Sequence, residues 1–128
     1  MKKIMATIKA FASLEQSKKL AEILPLESAD NVIVSFGSRD GVKTVIMPKE
    51  TLDVIRTPFA DIRETTMCWS LAALLCVLPK IINNETLFIE TSAVLWHIGY
   101  RNIYTARADN PVDACYEMII HLHELNLL

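Results

Sequence analysis

His121, His123, Cys115 and Ser70 are the side chains here with the most chemistry to offer, and their spacing decides what they can do. His121-x-His123 has the form of a metal-ligand pair, but its surroundings have helical periodicity. Residues two apart on a helix point about 200° from one another. A zincin site needs histidines four apart with a glutamate between them, and the chain has no such spacing and no Cys-x-x-Cys. Ser70 follows Trp69 at the head of an apolar run, where serine normally caps or packs. The chain's three glycines, Gly37, Gly41 and Gly99, build no Gly-x-Ser-x-Gly elbow around it. Cys115, His121 and His123 share one helical segment with Cys115 on the apolar side, which is poor geometry for a thiol–imidazole pair. Gly37-Ser38-Arg39-Asp40-Gly41 is a polar turn without the Lys-Ser/Thr helix of a phosphate loop. The carboxylate pairs Glu15/Glu22 and Glu117/Glu124 have helical spacing that turns them outward. No catalytic, cofactor-binding or metal-ligating residue is expected, and the chain reads as a non-enzyme.

Recognition is the remaining chemistry. Tyr and Arg anchor binding surfaces when exposed. Tyr100 and Arg101 read as a turn, Tyr104 and Arg107 as the strand after it. These four are the candidate partner-contact residues. Trp96 alternates with Val94 and Ile98 and reads as core.

The elements that must position them follow from pattern. Ser13-Leu14-Glu15-Gln16 is a capping box, and an apolar stripe through Leu20 and Leu24 runs to Pro25. Residues 31–36 and 42–47 alternate as strands around the glycine-flanked turn, giving a hairpin. Residues 50–66 read as a connector with one helical turn, broken at Thr57-Pro58. Residues 67–78 read as a helix stopped by Pro79. Asn83-Asn84-Glu85 marks a turn, and strands are expected over 87–91, 93–98 and 103–107. Asn110 then caps a final helix with Pro111 at its first position and Asp113 in its first turn. The expected fold is a single α+β domain over residues 1–128. It has the order α-ββ-α-βββ-α, an antiparallel sheet of about five strands, and three main helices mostly on one face.

Composition limits the function classes. The chain has 128 residues, 52% of them hydrophobic, with 13 Lys and Arg against 15 Asp and Glu for a net charge of −2. The basic residues are scattered, so nucleic acid is the second choice of partner. The apolar share favours an unidentified protein partner or a homodimer. Cys68, Cys76 and Cys115 are odd in number and lie in apolar stretches, which reads as buried free thiols in a reducing, cytoplasmic compartment. Lys9 interrupts the apolar run after Lys2-Lys3, so no signal peptide or membrane span is expected.

Three blocks carry a resemblance. Residues 15–25 (Glu-Gln-Ser-Lys-Lys-Leu-Ala-Glu-Ile-Leu-Pro), 68–75 (Cys-Trp-Ser-Leu-Ala-Ala-Leu-Leu) and 109–115 (Asp-Asn-Pro-Val-Asp-Ala-Cys) resemble a group of small proteins of gut Bacteroides genomes, often found among prophage and mobile-element genes. The blocks span about a third of the chain. Met67 stands where that group often has proline. The resemblance implies a setting, a phage or mobile-element accessory factor, and no catalytic residue. An interaction module is therefore the leading expectation, with a nucleic-acid-binding accessory protein second and a small-molecule-binding domain third.

Replacing Trp69 or Ile119 by alanine is expected to destabilise the protein by about 3 kcal/mol, as core truncations do. Urea unfolding measures it. A loss below about 0.5 kcal/mol, the range of surface changes, contradicts their core placement.

Overall fold

A computed structural model describes residues 9–56 and 61–128 and divides the chain into two compact units, each with its own antiparallel sheet. The expected single sheet of about five strands is instead one of three strands and one of four. The expected features at Lys2-Lys3 and Thr57-Pro58 lie outside the described residues.

The unit Phe11–Leu78 starts at α1 (Leu14–Ile23). Its capping box is formed as written: Gln16 N–H donates to Ser13 Oγ at 3.1 Å, and Ser13 N–H to Gln16 Oε1 at 3.0 Å. A 3-10 turn (Leu26–Ser28) leads into β1 (Asn31–Ser38) and β2 (Gly41–Pro48), the expected hairpin with a tighter turn at Arg39-Asp40. Then come α2 (Thr51–Ile55), β3 (Ile62–Cys68) and α3 (Leu71–Val77), with strand order β2-β1-β3. Val32, Ile33 and Val34 are buried on both faces of β1, as the central position of that strand requires. The Lys18–Glu64 pair (3.4 Å) puts α1 on one face of the sheet, while Ile55 of α2 meets Phe36, Val45 and Met47 on the other. Helices thus flank both faces here instead of one.

Two expectations change in this unit. The connector at 50–66 contains the start of β3, an edge strand too polar to show an apolar period. The helix expected from Met67 begins at Leu71, because Met67 and Cys68 pair with Val32 and Asn31. An apolar run fits either state, and Ser70 decides. Its extended backbone (φ −72°, ψ 168°) makes it the N-cap, taking the Ala73 N–H at 3.2 Å.

Pro79–Leu128, with Lys9 and Ala10, forms the second unit. It contains β4 (Ile81–Ile82), β5 (Glu85–Ser92), β6 (Leu95–Tyr100), β7 (Tyr104–Ala108) and α4 (Pro111–Glu124), paired as a meander in sequence order. Asn83 and Asn84 (φ 49° and 66°) and Asn102 (φ 63°) make left-handed turns that asparagine tolerates. Asn110 caps α4, its Oδ1 taking the Asp113 N–H at 2.8 Å. Val112, Cys115, Met118, Ile119 and Leu122 are buried along one stripe of α4. The β5–β6 turn falls at Ala93-Val94, not Ser92, so Val94 is 81% exposed and Trp96 only half-buried. Gly99 and Tyr100 belong to β6 instead of the turn after it.

Gly99 permits a close approach of β6 to β7. A Cβ there would collide with the Tyr104 carbonyl oxygen and lie 2.6 Å from Thr105 Cα, both backbone atoms with nowhere to go. Gly99→Ala is expected to destabilise by about 2 kcal/mol or more, read as a lowered Tm; an unchanged Tm contradicts this close approach.

Candidate interaction surface

Strand register distributes the four candidate contact residues over two faces. Directly paired residues share a face, and neighbours along a strand alternate. Tyr100 pairs with Tyr104 and Ile98 with Ala106, so these four side chains share the face that α4 covers. His121 of α4 stacks on Tyr104 there, ring centroids 3.6 Å apart at 16°. Tyr104 keeps 37% of its surface exposed. Tyr100 is wholly buried, its hydroxyl donating to the Pro79 carbonyl. Burial, with a smaller effect of the Cys115 sulfur, pushes its phenol up to about 12. Tyr100 is therefore a core residue and not a contact. Its strand-end position in an apolar register, not the turn expected from Gly99, accounts for this.

Arg107 and Arg101 lie apart from the two tyrosines. Arg107 pairs with His97, and His97 with Glu90, forming a rung on the opposite face. Tyr104 and Arg107 are three residues apart on one strand, which places them back to back. The His97 ring is held at both nitrogens. Nδ1 accepts from Arg107 Nε at 3.2 Å, so in the neutral ring Nε2 carries the proton and donates to Ser92 Oγ at 2.7 Å. Arg101, in the β6–β7 turn, places its guanidinium 5.4 Å from the centroid of Phe88, which shares that face. Arg101, Arg107 and Glu90 are exposed, and Phe88 and His97 half-buried. The result is a face free of helix among the described residues of this unit, which presents two guanidiniums, an aromatic ring and an imidazole. Sequence reasoning named the arginines but missed Phe88 and His97, which only cross-strand register brings beside them.

The reactive side chains are elsewhere. Ser70 is a structural serine: its hydroxyl donates to Asp30 Oδ2 while its amide donates to Oδ1 at 2.9 Å. Burial works to raise the Asp30 pKa, but the two bonds from Ser70, with Asn31 and its own amide, outweigh it and hold the carboxyl below its ordinary 3.8. Cys115 is buried and its thiol is pushed up to about 12; burial also raises Cys68. Cys76, expected to be buried, is exposed on α3. Among the described residues no three His, Cys, Asp or Glu side chains are grouped to hold a metal ion, and no helix is long and apolar enough to cross a membrane. An apolar groove of about 300 Å³ opens in Phe11–Leu78, lined by Phe36, Val45, Met47, Ile55 and Ile62. Its one carboxylate, Asp61, is engaged by Arg63 at 3.2 Å.

Among the described residues the chain is an α+β protein of four helices and two antiparallel sheets. Comparison with protein-family models, curated proteins and solved structures found no match.

Asp30 links folding to acid. A carboxyl whose folded pKa lies below its unfolded value stabilises the fold above about pH 4, and that contribution is lost as pH falls through the folded pKa. Urea unfolding between pH 2 and 7 is expected to show less loss of stability below about pH 4 in Asp30→Asn than in the parent. Parallel curves contradict the assignment.

Proposed function

We propose that this chain is a non-catalytic protein-interaction module whose contact surface is the helix-free face of the four-stranded sheet. The supporting observation is the exposed Arg101 poised over Phe88, beside the Arg107–His97 pair. Arginine and aromatic side chains concentrate binding energy at interfaces, and a guanidinium already stacked on a ring loses less freedom when a partner's carboxylate arrives. Tyr104 borders the other face and is left out of this surface. Glu90, on the same rung as His97 and Arg107, opposes a continuous phosphate backbone and favours a protein partner that offers charges of both signs. The resemblance to the Bacteroides group supports a setting as a phage or mobile-element accessory factor.

The test is capture of partners by the tagged chain from host lysate, with and without nuclease, beside an Arg101→Ala/Arg107→Ala variant. A protein that survives nuclease and falls by about tenfold or more with the variant is the expected outcome. A catch that disappears with nuclease replaces this reading with the nucleic-acid one, and a catch indifferent to the double substitution refutes the surface.

A further inference from the structure

His97 stands between two opposite charges on one rung of the four-stranded sheet. Glu90 of β5 lies directly across from it on one side and Arg107 of β7 on the other. Both ring nitrogens are in use: Nδ1 accepts from Arg107 Nε at 3.2 Å, and Nε2 lies 2.7 Å from Ser92 Oγ. The bond to Arg107 exists in one charge state only. A guanidinium is a donor and nothing else, so it bonds to Nδ1 only while that nitrogen carries no proton. Imidazole is the side chain that changes its charge between about pH 5 and 8.

We infer that His97 is a proton-operated latch on Arg107. In the neutral ring Nδ1 holds the Arg107 Nε–H. A proton on Nδ1 removes the acceptor and sets an imidazolium against a guanidinium, so the arginine side chain is released. Glu90, across the rung, then faces the new positive charge and balances it. The other charged groups lie further off: Arg101 is in the next turn over Phe88, and Asp109 follows the end of β7. β4 brings only Ile81 and Ile82, and α4 packs on the opposite face. The proton on His97 therefore decides which of its two paired neighbours, Arg107 or Glu90, the ring engages.

This latch would regulate the proposed contact surface. A carboxylate grips arginine through two parallel N–H bonds, and the edge made by Nε and one Nη is one of the two it can use. The neutral His97 ring occupies that edge. Protonation opens it and adds a positive charge beside it, which favours a partner's carboxylate in acid. That consequence rests on the interaction reading. The latch itself rests on the Arg107–His97 geometry, and its test needs no partner, so the two fail separately.

Nuclear magnetic resonance on the full isotope-labelled chain alone is the test. At about pH 8 the His97 ring is expected to carry its proton on Nε2 and none on Nδ1. As pH is lowered to about 5, the Arg107 Nε–H resonance is expected to move in step with the His97 ring and to share its midpoint. His97→Gln keeps a donor and an acceptor but no titrating nitrogen, so the movement at Arg107 is expected to be lost, with an unchanged far-ultraviolet circular dichroism spectrum. If that variant fails to fold, the parent spectra decide. A ring protonated on Nδ1 at about pH 8, an Arg107 resonance that stays still while His97 titrates, or one that moves equally in His97→Gln, overturns the inference.

Discussion

The bonds between Asp30 and Ser70 hold Phe11–Leu78 together at its most crowded junction. Asp30 immediately precedes β1, and Ser70 separates β3 from α3. One carboxylate takes both the Ser70 amide and its hydroxyl, and the same hydroxyl oxygen caps α3. Next to it, buried Trp69 donates its indole N–H to Ser28 Oγ at 2.9 Å, and its carbonyl accepts from Ala12 N–H at 2.9 Å. The approach to α1, the 3-10 turn, the start of β1 and the end of β3 are thereby fastened within four consecutive residues, Met67 to Ser70, and their partners. A half-buried carboxylate loses part of its hydration and needs its acceptors filled, and Ser70 bonds to both oxygens.

Chemistry in this molecule is sorted by burial. Two of the three thiols, Cys68 and Cys115, are buried and held protonated, Cys76 is exposed, and Ser70 is committed to a carboxylate and a helix cap. The polar groups on the sheet face opposite α4, exposed Arg101, Arg107 and Glu90 with half-buried His97, present charge of both signs. α4 accounts for the asymmetry. It covers one face of the four-stranded sheet with an apolar stripe, and the alternation of β6 and β7 then puts the arginines on the other.

Legibility varied with the physical origin of each feature. Caps were legible because they are local: Ser13 with Gln16, and Asn110 with Pro111 and Asp113, act within one helical turn. Turns were legible where asparagine or glycine supplies a left-handed backbone, as at Asn83-Asn84. The Ala93-Val94 turn was not, since Ala93 adopts φ 54° without either residue type, held by the strands around it. β3 was hidden because an edge strand gains its place from backbone pairing with β1, which leaves little imprint on side-chain pattern. The contact surface was half legible: the arginines stand out as residues, but the face each one joins depends on register.

What the residues alone determined, then, is local: where α1 and α4 begin, and which runs are apolar. Partition of the strands into two sheets, the burial of Tyr100, the stack of His121 on Tyr104, and the pairing of Arg107 with His97 were decided by tertiary structure. Each depends on contacts between residues distant in sequence. A shift of one residue in strand register exchanges the two faces of a sheet, and only the packed chain selects the register.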